Sequence, residues 1–250
     1  MNAPINWIAF IAVWLVASDI GYAKDAADPL IDAAVRDVQG LLTNFHFVST
    51  GATRFAPVPD PLHFGVYRGA VPIMGKISTP SEATPDLQIK MNQGVQALKD
   101  KLAVKTIIDL ETSGTLLDAE AKAAQLAHVN FVSIELPPIV ARPTNERMQT
   151  ILKILLDSAS YPIYVHCRHG QDRTGTVIGL YRVFVEGMPA QQALDEMKAY
   201  GFHSIDDSVW EAGYECYFRE ATGLARPALC RRIPAYDPGH GSSATTPAAP

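Results

Sequence analysis

The stretch Val165–Gly175, "VHCRHGQDRTG", gathers a cysteine, two histidines, two arginines and an aspartate around two glycines. A buried strand would be mostly apolar, and a surface loop has no need of a cysteine at that place. The preceding "PIYVH" (162–166) has the length and composition of a short buried strand, and Asp172–Glu186 has helical patterning. The stretch is therefore a loop that joins a strand to a helix N-terminus. Such a loop turns several backbone N–H groups into one space, and the helix dipole favours an anion there.

Strands and helices alternate outward from this loop. Asn92–Leu102 is helix-like, Val104–Leu110 is a β-branched strand, Leu116–Ala127 is an Ala-rich helix and Val129–Ile134 is a strand. Thr144–Ser158 is a helix with Met148, Ile151, Leu152 and Leu155 on one face, and further helices are predicted at 189–200 and 206–222. Upstream, Pro29–Thr43 has helical spacing with Asp28 as N-cap, strands are predicted at 45–49 and 64–69, and the Pro-containing stretch 71–86 reads as a loop. This order predicts an α/β fold with a largely parallel central sheet flanked by helices. In such sheets ligands bind beyond the carboxyl ends of the strands, where the Cys167 loop lies.

The net charge of −5, from 21 Lys and Arg against 26 Asp and Glu, argues against a general nucleic-acid binder. Trp7–Ala17, "WIAFIAVWLVA", is too short to span a bilayer as a helix and fits the apolar segment of a secretory signal. "GYA" (21–23) supplies the small residues of a cleavage site, although no Lys or Arg precedes the apolar run. The expected organisation is a signal peptide over 1–23, one domain over 24–236 with its core at about 45–222, and a disordered tail over 237–250. Export to the periplasm or medium follows, with no stable membrane span after cleavage; an N-terminal membrane anchor is the alternative. Cys216 and Cys230 either pair around a turn, leaving Cys167 as the odd thiol, or stay reduced and buried.

Arg173 follows Cys167 by six residues. If the loop wraps round, its guanidinium returns to the same centre and grips two oxygens of a phosphate. The same field favours the thiolate, which is the form that attacks phosphorus. Gly170 lets the backbone curl without steric cost.

Cys-x5-Arg preceded by His166 and followed by Thr174-Gly175 resembles the signature of the cysteine-dependent protein tyrosine and dual-specificity phosphatases. "VYRGAVP" (66–72), "KTIIDLE" (105–111) and "ALDEMKAYGFH" (193–203) are also similar to segments of that family, the last to bacterial dual-specificity-like members. The likeness covers roughly 45–222; Glu111 departs from it, because many members carry Arg there. The resemblance implies a protein tyrosine phosphatase-like fold and a two-step reaction through a cysteinyl phosphate, with neither metal nor cofactor. It casts Cys167 as nucleophile and Arg173 as phosphate clamp. Arg168, His169, Gly170 and Gln171 form the binding loop, Thr174 bonds the departing sulfur, and His166 supports the loop.

The leaving oxygen needs a proton. Family members usually supply it from an aspartate about 30 residues before the cysteine; here Glu135 stands 32 residues before, at the end of a strand. Asp172 is the second candidate, because its place before the arginine resembles the loop of myotubularin lipid phosphatases. Asp109, Glu111 and Glu146 remain behind these two. Tyr67 and Arg68 are candidates to line the pocket. The substrate is a phosphorylated protein, with phosphotyrosine or dual specificity favoured; a phosphoinositide or inositol polyphosphate is the alternative, because Arg168 and His169 suit extra phosphates. A phosphate-binding module without turnover is the non-enzymatic alternative.

Overall fold

The computed structural model describes residues 29–49, 65–75, 86–111, 114–138, 140–204 and 212–233. The expected leader, Asp28 and the 237–250 tail lie outside these residues.

The elements, in chain order, are α1 (Pro29–Gln39), β1 (His46–Ser49), β2 (Val66–Ala70), α2 (Leu87–Leu102), β3 (Thr106–Asp109), α3 (Gly114–Leu126) and β4 (Asn130–Ser133). Then come α4 (Asn145–Leu156), a short 3₁₀ turn at Ser158–Ser160, β5 (Ile163–Cys167), α5 (Asp172–Phe184), α6 (Ala190–Ala199), α7 (Gly213–Thr222) and a second 3₁₀ turn at Ala228–Arg231. The strands form one sheet in the order β1-β2-β5-β3-β4. β1 is antiparallel to β2, and the other neighbours are parallel, so the expected largely parallel sheet is present.

β2, β3 and β5 are buried along their whole length, as parallel strands covered on both faces must be. Successive side chains face opposite layers. Ile163, Val165 and Cys167 of β5 join Val66 and Ile108 against α4, α5, α6 and α7. Tyr164 joins Tyr67 and Ile107 against α1, α2 and α3. This alternation gives the nucleophile and the residue before it different surroundings.

Where the spans differ from expectation, the cause is local. α1 stops at Gln39 because Gly40 follows and the chain turns through Asn44, which has a positive φ of 51°. α2 begins at Leu87 rather than 92, with the Lys90 N–H bonded to the Asp86 carbonyl. Thr144 caps α4 as its sequence suggests, its hydroxyl accepting from the Arg147 N–H at 3.4 Å. Cys216 on α7 is disulfide-bonded to Cys230, and Cys167 is free and buried.

Candidate active site

β5 delivers Cys167 to the carboxyl edge of the sheet, in register with Ala70 of β2, with the thiol 4% exposed. The residues after it leave the sheet, and their carbonyls are tied outward. The Val71 N–H donates to the Arg168 carbonyl at 3.4 Å. Asn44 Nδ2 donates to the carbonyls of His169 (3.0 Å) and Gly170 (3.2 Å), and Arg68 Nη2 donates to that of Gly170 (2.8 Å). A trans peptide directs its C=O and the following N–H to opposite sides. With three successive carbonyls held by outer groups, the N–H groups of His169, Gly170 and Gln171 turn to the inner, concave side. The groups behind the loop thus hold its curl.

Gly170 permits this curl. Its φ is +71°, and a Cβ there would lie 2.3 Å from the Gly69 backbone carbonyl carbon and oxygen. No other residue fits, so the loop rests directly on the end of β2.

Arg173, on the first turn of α5, donates from Nε to the Pro137 carbonyl at 3.1 Å and from Nη1 to Glu111 Oε2. Glu111 also pairs with Arg168 Nη2 at 3.3 Å. The position that departs from the family pattern is thus the one that holds both arginines of the loop. The Pro137 carbonyl also accepts from the Tyr214 hydroxyl at 2.7 Å, which fixes the segment after β4 beside Arg173.

The two acid candidates occupy different positions. Glu135 is half-buried at the start of that segment, and its carbonyl accepts from Arg147 Nη1 at 2.5 Å. β3 lies between β4 and β5, so Glu135 stands two strands from Cys167 along the carboxyl edge. The Asp172 carboxylate takes the His203 backbone N–H at 2.8 Å and faces its imidazole Nδ1 at 3.0 Å. Glu146 is exposed in the first turn of α4, where it suits the helix dipole. Among the other loop residues, Arg168 is partly exposed and His169 exposed, Gln171 packs on Gly201, and the Thr174 hydroxyl is buried without a hydrogen bond to a described group.

Tyr67 and Arg68 do not line an open pocket: they are 0% and 1% exposed. Tyr67 points into the α1–α3 layer, between Phe45 and Phe47, and Arg68 lies beneath the loop.

His166 faces the layer opposite to Cys167. Its Nε2 is 2.7 Å from Glu120 Oε1 of α3, and its Nδ1 is 4.0 Å from Asp109 Oδ1. Burial pulls the imidazole pKa down, but Glu120, then Asp109 and Cys167, outweigh it and carry the value up to about 9. Burial pushes the Asp109 carboxyl up to about 7, opposed by His166 and reinforced by Glu120. Asp109, Glu120 and His166 each place one donor atom within 4.8 Å of the others. A metal with bonds of about 2.0–2.2 Å to Nε2 and Oε1 would hold those atoms about 3 Å or more apart. At 2.7 Å the pair is an ion pair supporting the loop from behind.

Sequence reasoning did not find Asn44, Glu120, His203 or Tyr214, which come from segments far from the loop. Arg68 carried a legible signal: a charged residue inside an otherwise apolar strand, "VYRGA".

Residues 90–212 match the family described as a DSP-PTPase phosphatase fused to NAD+ kinase. A dual specificity protein phosphatase TpbA of Pseudomonas aeruginosa is 30% identical over 166 residues, 65% of this chain and 67% of that one. TpbA of a second strain is 33% identical over 112 residues, 44% of this chain and 48% of its own length. The rice inositol diphosphatase DSP1 is 42% identical over 45 residues, 18% of this chain and 20% of that one. The chain belongs to the cysteine-dependent dual-specificity phosphatases.

The buried cluster makes a pH prediction. His166 binds its proton more tightly folded (about 9) than unfolded (6.5), so its contribution is complete below pH 6.5 and is lost as pH rises through 9. Asp109, raised from 3.8 to about 7, acts in the same direction at lower pH, because ionising it in the folded state is unfavourable. Urea unfolding should therefore show stability falling between pH 6.5 and 9 by on the order of 2–3 kcal/mol. His166→Asn should flatten that limb; a wild-type protein equally stable at both ends would contradict the assignment.

Proposed function

We propose that this chain hydrolyses phosphate monoesters on proteins, phosphotyrosine foremost, through covalent catalysis at Cys167. The observation that carries this reading is the set of outward-tied carbonyls at 168, 169 and 170, which leaves N–H groups for an anion beside a buried thiol and a guanidinium on one short loop. The Cys167 sulfur attacks phosphorus, an S–P bond forms, the P–O bond to the leaving group breaks, and that oxygen takes a proton. Water then attacks phosphorus, the S–P bond breaks, and inorganic phosphate leaves with the thiolate restored. Arg173 and the loop amides hold the equatorial oxygens throughout. The buried Thr174 hydroxyl is the donor we assign to the departing sulfur.

Glu135 remains the acid we propose. Arg173 Nε and the Tyr214 hydroxyl both fix the Pro137 carbonyl two residues on, while the Asp172 carboxylate is taken up by His203. Glu135→Gln should slow substrates with poor leaving groups by about 100-fold while barely affecting p-nitrophenyl phosphate, whose leaving group hardly needs a proton. Equal losses on both would remove Glu135 from the role.

Arg168 supports a second reading. It is a second cation on the loop, partly exposed and held at 3.3 Å by Glu111, and a partner of this kind suits a second phosphate. The test is phosphate release from phosphotyrosine and phosphoserine peptides, phosphoinositides and inositol polyphosphates. Phosphotyrosine peptide should be preferred, and Cys167→Ser should abolish all turnover. Preference for an inositol polyphosphate would select the second reading, and turnover surviving in Cys167→Ser would refute the mechanism.

We also infer export, with cleavage before Lys24. The apolar run at 7–17 supports it, as does the Cys216–Cys230 disulfide, a bond that persists in oxidising compartments. Intact-mass analysis of fractionated cells should find a chain starting at Lys24 outside the cytosol; a full-length cytosolic chain would contradict it.

A further inference from the structure

Arg68 is a guanidinium 1% exposed, the largest fully buried side chain of the core. Burying such a charge costs several kcal/mol unless it is compensated. Its visible compensation is thin. Nη2 bonds the Gly170 carbonyl at 2.8 Å, and the guanidinium carbon lies 4.7 Å from the centre of the Tyr200 ring. Among the described residues, Nε and Nη1 find no hydrogen-bond partner and no carboxylate pairs with the guanidinium. A cation placed so expensively implies an anion close by that is not always a carboxylate.

Strand parity says which one. Arg68 shares its face of β2 with Val66 and Ala70, and Ala70 is in register with Cys167 on the next strand. Arg68 therefore lies on the Cys167 side of the sheet, below the loop that the thiol opens into. Its titratable neighbours are Cys167 on β5, Glu196 on α6 and Arg182 on α5, with Tyr200 and His46 at its edge. Asn44 binds the same Gly170 carbonyl at 3.2 Å, but as a neutral amide. The loop thus has two anchors on one oxygen, of which only one carries charge.

We propose that Arg68 is a positioning residue with two effects: it holds the 170–171 peptide with its N–H turned into the cradle, and it supplies the buried positive charge that favours the Cys167 thiolate. This rests on the phosphatase reading but extends it to a residue outside both the Cys-x5-Arg signature and the matched stretch 90–212. Burial pushes Arg68 down to about 10, with Tyr200, Cys167 and Glu196 pulling it back up, so it stays charged at neutral pH. Arg173 does not supply the second effect alone, because its guanidinium is engaged by Glu111 and by the Pro137 carbonyl.

The test is the rate of iodoacetamide alkylation of Cys167, measured at pH 6 and pH 9 on folded, disulfide-intact protein. It needs no turnover, so its failure is separable from failure of the phosphatase reading. Arg68→Gln should lower the pH 6 rate relative to the pH 9 rate by about tenfold. Asn44→Ala should leave that ratio as in the wild type while weakening the protection of Cys167 from alkylation by orthovanadate, because it removes an anchor and no charge. A folded Arg68→Gln protein with the wild-type ratio would overturn the proposal. Should Arg68→Gln not fold, Arg68→Lys decides. Keeping the charge without the planar fork, it should retain the ratio and bind orthovanadate at least about threefold more weakly. A changed ratio with unchanged orthovanadate protection against alkylation would overturn it.

Discussion

The site depends on how the loop after Cys167 is held from behind. A run of backbone N–H groups does not converge on one point unaided, because each peptide can rotate and each carbonyl seeks its own partner. Here the partners are fixed in advance on the outer side. The end of β2 supplies the Val71 N–H, the turn before β1 supplies the Asn44 amide, and β2 supplies the Arg68 guanidinium. Gly170 lies against Gly69 with no room for a Cβ, so the loop is seated on the strand. The inner face of the loop is set by satisfying the opposite side of the same peptides.

The period of the β-strand divides the labour. Cys167 faces the helices that carry Arg173 and Tyr214, whereas His166 faces α3 and its buried Glu120. Positive charge thus surrounds the sulfur from several sides: Arg68, His166 and Arg173 all interact with Cys167 electrostatically. Acidic residues balance that charge at one remove. Glu111 restrains Arg168 and Arg173, and Glu120 and Asp109 restrain His166. Without this balance a cluster of buried cations would repel itself, and with acids in direct contact with the sulfur the thiolate would be disfavoured.

Much of this was legible in the sequence, and the reason differs by residue. Cys167, Gly170 and Arg173 belong to one contiguous loop, so their spacing together with the flanking residues and the strand–helix setting suggests a joint role. The alternating strands and helices gave the parallel sheet, because apolar runs of that length have few other uses. Glu111 reads in the sequence as a departure from the family pattern and a minor acid candidate, because its contact with Arg173 lies sixty-two positions away. Asn44 and Glu120 left no local trace: each is an ordinary polar residue until the sheet order brings its segment to the loop. Arg68 was read as a pocket residue; its fully buried strand turns it inward, and the neighbouring apolar residues were the clue.

Covalent catalysis, as proposed, makes Cys167 the phosphoryl carrier. The most direct measurement is acid-quench mass spectrometry of the protein mixed for milliseconds with a phosphotyrosine peptide. The expected result is a transient gain of one phosphoryl group on the peptide containing Cys167, decaying as inorganic phosphate appears. Substrate turnover with no phosphoryl group on Cys167 at any time point, or with one on another residue, would contradict it.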